Sequence, residues 1–229
     1  MKGLSLIVPV HNGEGFIKSS LREYHSFFSR SFNKIEIIAI CNACKDNTFR
    51  ECEFLKNEIP MKVLDVPRRG KGYALIEGFS HAKYELVGFL DADNPFDLNE
   101  ILKMINSLEE ADAIIATKFK KGRLKFQTSF LRRTFSLSAA IVSKIIFGLN
   151  VRDTQAGAKF IKKQALDRIK NNFVCGGFEF DIELLYRLKK KNAKIKEYFI
   201  LPKDSDFSTV KMRILPGMLC RLLKLRFLK

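Results

Sequence analysis

ELVGFLDADNPFDLNEIL, residues 85–102, changes periodicity partway along. Its first half is a short apolar run with polar residues on either side, which reads as a buried strand ending near Asp91. Beyond it, Leu98, Ile101, Leu102, Ile105 and Leu108 recur at helical spacing behind Asp97, a residue suited to capping a helix. A strand handing over to a helix through a polar turn is half of a βαβ unit. The pattern repeats outward. Apolar runs at 4–10 (LSLIVPV), 35–40 (IEIIAI), 61–66 (MKVLDV) and 112–117 (DAIIAT) read as strands. Phe16, Ile17, Leu21, Tyr24 and Phe28 mark one helix face between them, and Leu75, Ile76 and Phe79 mark another. Alternation of this kind predicts an α/β fold: a mostly parallel sheet flanked by helices. Ligands of such sheets bind beyond the carboxyl ends of the strands.

Downstream the pattern loosens. A moderately apolar helix is expected over about 130–147, a helix through FEFDIELLYRLKKK and a strand near AKIKEYFI. Residues 1–204 read as one domain and 205–229 as a basic, apolar tail whose cations do not segregate to one helical face. The net charge is +16, and residues 185–229 hold 13 Lys/Arg against 3 Asp/Glu, a surplus of 10. That end suits an anionic partner such as a membrane surface, although solubility alone also accounts for it. Specific nucleic-acid recognition is not expected, because the strand residues read as buried and not as an open stacking platform. The five irregularly spaced cysteines, with no signal peptide and no apolar stretch near membrane-spanning length, point to a cytoplasmic setting.

Polar residues gather directly after the strands: HNGE, CNACKDN, RRGKG, DADN and TKFKKG. Asp91 and Asp93, one small residue apart, suit a single Mg²⁺ or Mn²⁺, which takes one or two protein carboxylates and completes its shell with water and phosphate oxygens. A simple turn at Asp93-Asn94-Pro95 with Asp97 as cap also explains the stretch. Glycines around Lys71 allow close backbone approach to a phosphate at a helix start, without P-loop or dinucleotide-fold spacing. Asp153 and Gln155 precede a glycine bend, and Glu179, Asp181 and Glu183 enter a helix whose dipole favours acids there. CNACKDNT could be a dithiol, but a zinc site would need a second ligand pair, which the other cysteines and the histidines do not supply.

Taken in order, these pieces resemble a family 2 glycosyltransferase of the GT-A (Rossmann-like) fold. LIVPVHNGE resembles VPxYNE, CNACKDNT resembles DDGSxDxT, RRGKGYA resembles NxGKGxA, and FLDADN resembles the DxD stretch. DTQAGAKF and FEFDIELLYRL are similar to patterns of dolichyl-phosphate β-glucosyltransferases, and the whole, over roughly residues 4–201, also resembles dolichyl-phosphate mannose synthases. The resemblance implies that Pro9, His11, Asn12 and Asn42 hold the base, and that Lys71, Asp91 and Ala92 lie by ribose and phosphates. It places the divalent cation on Asp91 and Asp93. By the same match Lys118, Arg132 and Arg133 stand where these enzymes bind an acceptor phosphate, with Asp153 and Gln155 nearby. His11 replaces the usual tyrosine, Gly13 the glutamate, and Cys41-Asn42-Ala43-Cys44 replaces Asp-Asp-Gly-Ser. An aspartate accepts the imide N–H of uracil, whereas Asn42 can accept and donate, which leaves the base open.

The implied reaction is inverting hexose transfer from a nucleotide diphosphate sugar (UDP-glucose, UDP-GlcNAc or GDP-mannose) to polyprenyl or dolichyl phosphate. The enzyme would sit peripherally at the cytoplasmic face of a membrane. Two alternatives stand beside it. One is a family 2 enzyme with a hydroxyl-bearing glycan acceptor, for which Asp181 is the matching base. The other is a sugar nucleotidyltransferase, which would leave the basic tail and the late motifs without purpose.

Overall fold

A computed structural model of the chain describes residues 3–120, 123–124, 143–171, 173–203 and 215–227. The first half alternates as the sequence predicts: β1 (Gly3–Val10), α1 (Ile17–Ser29), β2 (Lys34–Asn42), α2 (Thr48–Leu55), β3 (Met61–Val66), α3 (Lys71–His81), β4 (Leu86–Leu90), α4 (Leu98–Asn106) and β5 (Ala113–Thr117). A two-stranded ribbon, β6 (Phe119–Lys120) and β7 (Arg123–Leu124), follows. The second half holds β8 (Ala158–Lys162), α5 (Lys163–Asp167), α6 (Phe180–Lys190), β9 (Ile195–Phe199) and α7 (Leu215–Phe227).

Seven strands join in the order β3-β2-β1-β4-β8-β5-β9. All pair in parallel except β8, which is antiparallel to both β4 and β5. Strand alternation sends successive side chains to opposite faces, which makes two cores. Leu4, Leu6 and Val8 of β1 join Ile37 and Ala39 of β2 under α1 and α4, while Ile7, Ile38 and Ile40 face α3 and α6. α1 buries Ile17, Leu21, Tyr24 and Phe28, and Asp97 caps α4 by accepting from Asn99 N at 2.8 Å.

β8 was not legible as a strand, because AKFI carries a lysine where alternation calls for a core residue. Of the helix expected over 130–147, residues 143–147 are described and are helical; the rest, with Arg132 and Arg133, lies outside the described residues. In α7, Leu222 and Leu225 are buried in the second core, and Arg221 pairs with Glu179 at the start of α6.

Candidate active site

The parallel strands β1, β2, β4 and β5 bring their carboxyl ends to one edge, and the polar loops meet there. At the end of β1, His11 Nδ1 lies 2.8 Å from the backbone oxygen of Asn42 at the end of β2. Asn12 and Ala43 both have left-handed backbones, with φ of 53° and 50°. Asparagine tolerates this conformation. Alanine stands at the position where the resembling motif has glycine, at a cost of about 1–2 kcal/mol. Asn12 Oδ1 accepts from Lys45 N at 2.8 Å, which ties the two loops together.

Asn42 is where the motif places it, but its side chain is turned inward and is 4% exposed. Its Nδ2 donates to Arg68 O and its Oδ1 accepts from Gly70 N, both at 2.7 Å. The amide therefore clasps the loop before α3. An aspartate would keep the Gly70 bond and set a carboxylate oxygen against the Arg68 carbonyl. Asn42→Asp is expected to lower stability by about 1–3 kcal/mol, the cost of an unmade buried bond. A melting temperature equal to that of wild type would show that the clasp contributes nothing.

Cys41, Cys44, Cys52 and Cys175 form no disulfide, and Cys44 of this loop donates to Val10 O at 3.6 Å. A hydrogen bond to Cys52, with burial, pushes the Cys41 thiol pKa far up, so it is no ready nucleophile.

Beside this loop, Lys71 Nζ meets Asp91 Oδ1 at 2.8 Å. Burial works against the lysine charge, but Asp91, Asp181 and Asp93 outweigh it and hold the Lys71 pKa above its ordinary value. Tyr24 OH donates to Asp91 O at 2.7 Å, and Asp91 N donates to Gly157 O at 3.0 Å. A β-carbon at Gly157 would overlap the Asp91 carboxylate, so the glycine of DTQAG lets that loop back the acid directly. The donors offered to a cation are hard carboxylate oxygens, and no cluster of three His/Cys/Asp/Glu occurs among the described residues. That fits Mg²⁺ or Mn²⁺ sharing its shell with a diphosphate, and does not fit a closed zinc site.

Asp91 and Asp93 line a cleft together with Lys118, Asp153, Gln155 and Gly157. Lys118 Nζ lies 3.7 Å from Asp153 Oδ2, and the Gln155 amide nitrogen is buried with no protein acceptor. Glu197 Oε1 holds this loop by accepting from Arg152 N at 2.7 Å and Asp153 N at 3.3 Å. Pro9 and Ala92 sit at the ends of β1 and β4, as the motifs place them.

Asp181 is in a different situation: it is 1% exposed, and its Oδ1 lies 2.6 Å from Nζ of Lys159, which is 0% exposed. Lys159 also donates to Ala156 O at 2.7 Å, and its ammonium, like that of Lys71, lies about 5 Å from the Phe89 ring centre. Burial pushes the Lys159 pKa down against the pull of Asp181. Sequence reasoning missed Lys159, Tyr24 and Glu197. For Lys159 a signal existed: a cation between Ala158 and Phe160 in an apolar run demands a buried counter-charge.

Comparison with known proteins bears on the same residues. A family profile described as Glycosyl transferase family 2 matches residues 5–180. Dolichyl-phosphate beta-glucosyltransferase ALG5D of Trichomonas vaginalis is 26% identical over 223 residues, covering 91% of this chain and 68% of that protein. The dolichyl-phosphate beta-glucosyltransferase of Saccharomyces cerevisiae is 24% identical over 234 residues, covering 92% and 70% respectively. Among solved structures, glucosyl-3-phosphoglycerate synthase from Mycobacterium tuberculosis, in complex with Mn²⁺, uridine diphosphate and phosphoglyceric acid, is similar with a TM-score of 0.70. The identity is 18%, over 99% of this chain and 79% of that one, a likeness of fold.

Proposed function

Because this chain belongs to glycosyl transferase family 2, we propose that it is a hexosyltransferase acting, with inversion, on polyprenyl or dolichyl phosphate. The donor is a nucleotide diphosphate sugar: UDP-glucose, UDP-GlcNAc or GDP-mannose. The observation that carries this reading is the sealed Asp181–Lys159 pair. A hydroxyl acceptor needs an accessible base to take its proton, and Asp181 is buried and committed to a lysine. A phosphate monoester, with its second pKa at about 6, is already largely dianionic at neutral pH and needs cations to hold it. Lys118 and the Gln155 amide on the cleft wall suit that need, and Arg132 and Arg133 are proposed to join them. The names of the relatives agree with a dolichyl phosphate acceptor.

In this mechanism His11, Asn12 and the Asn42 loop hold the base, and Lys71 sits by the phosphates with its ammonium fixed by Asp91. Asp93 would hold Mg²⁺ or Mn²⁺, which neutralises the departing diphosphate. Lys118 and Gln155 steady the acceptor phosphate as one of its oxygens attacks the sugar's anomeric carbon. The bond to the diphosphate breaks on the opposite face. Residues 1–204 supply this machinery. Within the 205–229 segment, α7, fastened by the buried Leu222 and Leu225, presents exposed Leu223, Lys224 and Arg226 to an anionic bilayer. No helix among the described residues is long and apolar enough to cross a membrane, and we place the enzyme peripherally at the cytoplasmic face.

The test is transfer of radiolabelled sugar from each of the three donors to a short polyprenyl phosphate with Mn²⁺, alongside a hydroxyl-bearing glycan. Metal-dependent glycolipid from one donor is expected. Product on the glycan alone, or none on the lipid from any donor, would sink the proposal.

A further inference from the structure

We infer that His11, and not the Asn42 side chain, supplies the acceptor that selects the nucleobase. It would favour bases with a ring N–H on their pairing edge, uracil N3–H or guanine N1–H, over cytosine, whose ring N3 carries no hydrogen and whose donors on that edge belong to the exocyclic amine. The inference rests on the nucleotide-sugar reading above and names the residue that decides its base.

The tautomer follows from the partner. A backbone carbonyl can only accept, so the 2.8 Å contact to Asn42 O requires the proton on His11 Nδ1. In the neutral ring Nε2 is then left with its lone pair, pointing away from that carbonyl. No described residue bonds to Nε2, and His11 is half-buried at the strand-end edge.

The side-chain acceptors Asn12, Glu14 and Asp46 on the β1 and β2 loops each already accept a hydrogen bond from the other loop or their own. Asn12 Oδ1 takes Lys45 N, Glu14 takes the amide and backbone of Asn47, and Asp46 takes Thr48 N and Glu14 N. Asn42 is assigned without ambiguity, since Gly70 N–H can only donate and Arg68 C=O can only accept. Two departures from the family pattern thus belong together. Position 42 has an amide where the pattern has a carboxylate, and position 11 has a ring with a second nitrogen where the pattern has a phenol.

The experiment is equilibrium binding of UDP, GDP, CDP and the base-methylated nucleotides N3-methyl-UDP and N1-methyl-GDP, with Mn²⁺, to the wild-type chain, His11→Phe and His11→Gln. Wild type is expected to bind UDP or GDP about tenfold more tightly than CDP or the methylated form, the worth of one hydrogen bond with its desolvation. His11→Phe should erase that preference, and His11→Gln, which keeps a carbonyl acceptor, should restore part of it. Equal binding of the parent and methylated nucleotides by wild type would overturn the assignment and make His11 a stacking surface only. Retention of the preference in a folded His11→Phe would overturn it too. The methylated ligands need no variant, so misfolding of His11→Phe cannot obscure the result. Failure of wild type to bind any nucleotide diphosphate would instead bring down the functional reading, and the base assignment with it.

Discussion

Asp181→Asn is expected to destabilise the protein by about 3–5 kcal/mol in denaturant unfolding, the usual cost of removing one partner of a buried ion pair. The change is nearly isosteric, so the loss is electrostatic. Lys159, 0% exposed, must keep a charge without its counter-ion or give up its proton, and both are costly. Replacing both partners, Lys159→Met with Asp181→Leu, should recover most of the loss, because neither charge is then buried alone. A single variant as stable as wild type would mean that the pair does not form.

The same experiment separates the two acceptor readings, which loss of activity in Asp181→Asn alone cannot do, since instability also abolishes turnover. The double variant, once shown to be folded, is the better probe. Transfer to polyprenyl phosphate should persist in it at a measurable rate. A folded double variant that still binds nucleotide yet transfers nothing would return Asp181 to the role of acceptor base.

Asp93→Asn should act in the opposite way, leaving the fold intact and removing the chemistry. Asp93 stands in the turn after β4, half-buried on the cleft wall. On the proposed reading, losing the carboxylate that would hold the cation against the diphosphate removes several kcal/mol of transition-state stabilisation, on the order of a thousandfold in kcat. The melting temperature without ligands should stay near that of wild type, while the added stabilisation by nucleotide diphosphate with Mn²⁺ should largely vanish. Chelation of the wild-type protein should reproduce that pattern. Asp91→Asn should differ by lowering intrinsic stability as well, because it breaks the ion pair with Lys71. If Asp93→Asn retained metal-dependent transfer, the cation would have to be held elsewhere.

The five strands of the first half and the polar loops at their ends were legible because apolar runs and capping residues are local signals. The capping role of Asp97 and the buried face of α1 fall where the spacing puts them. β8 was hidden because Lys159, its second residue, looks wrong for a buried strand until Asp181, 22 residues later, is seen to neutralise it. Leu222 and Leu225 looked like part of a mixed basic tail, since no sequence period reveals a core that other elements provide.

By itself, then, the sequence determined an α/β sheet whose carboxyl edge gathers Asp91, Asp93, Lys71 and the Asn42 loop, because side-chain period and turn chemistry act over a few residues. Only the tertiary structure decided what each polar group is free to do. Asn42 spends its amide on Arg68 and Gly70, Asp181 spends its carboxylate on Lys159, and His11 spends Nδ1 on the Asn42 carbonyl. These are contacts across 22 to 31 positions, or reach from 42 to 68 and 70, and their partners are chosen by which loops cross. Burial then makes each choice binding, since a polar group removed from water must take the partner within reach.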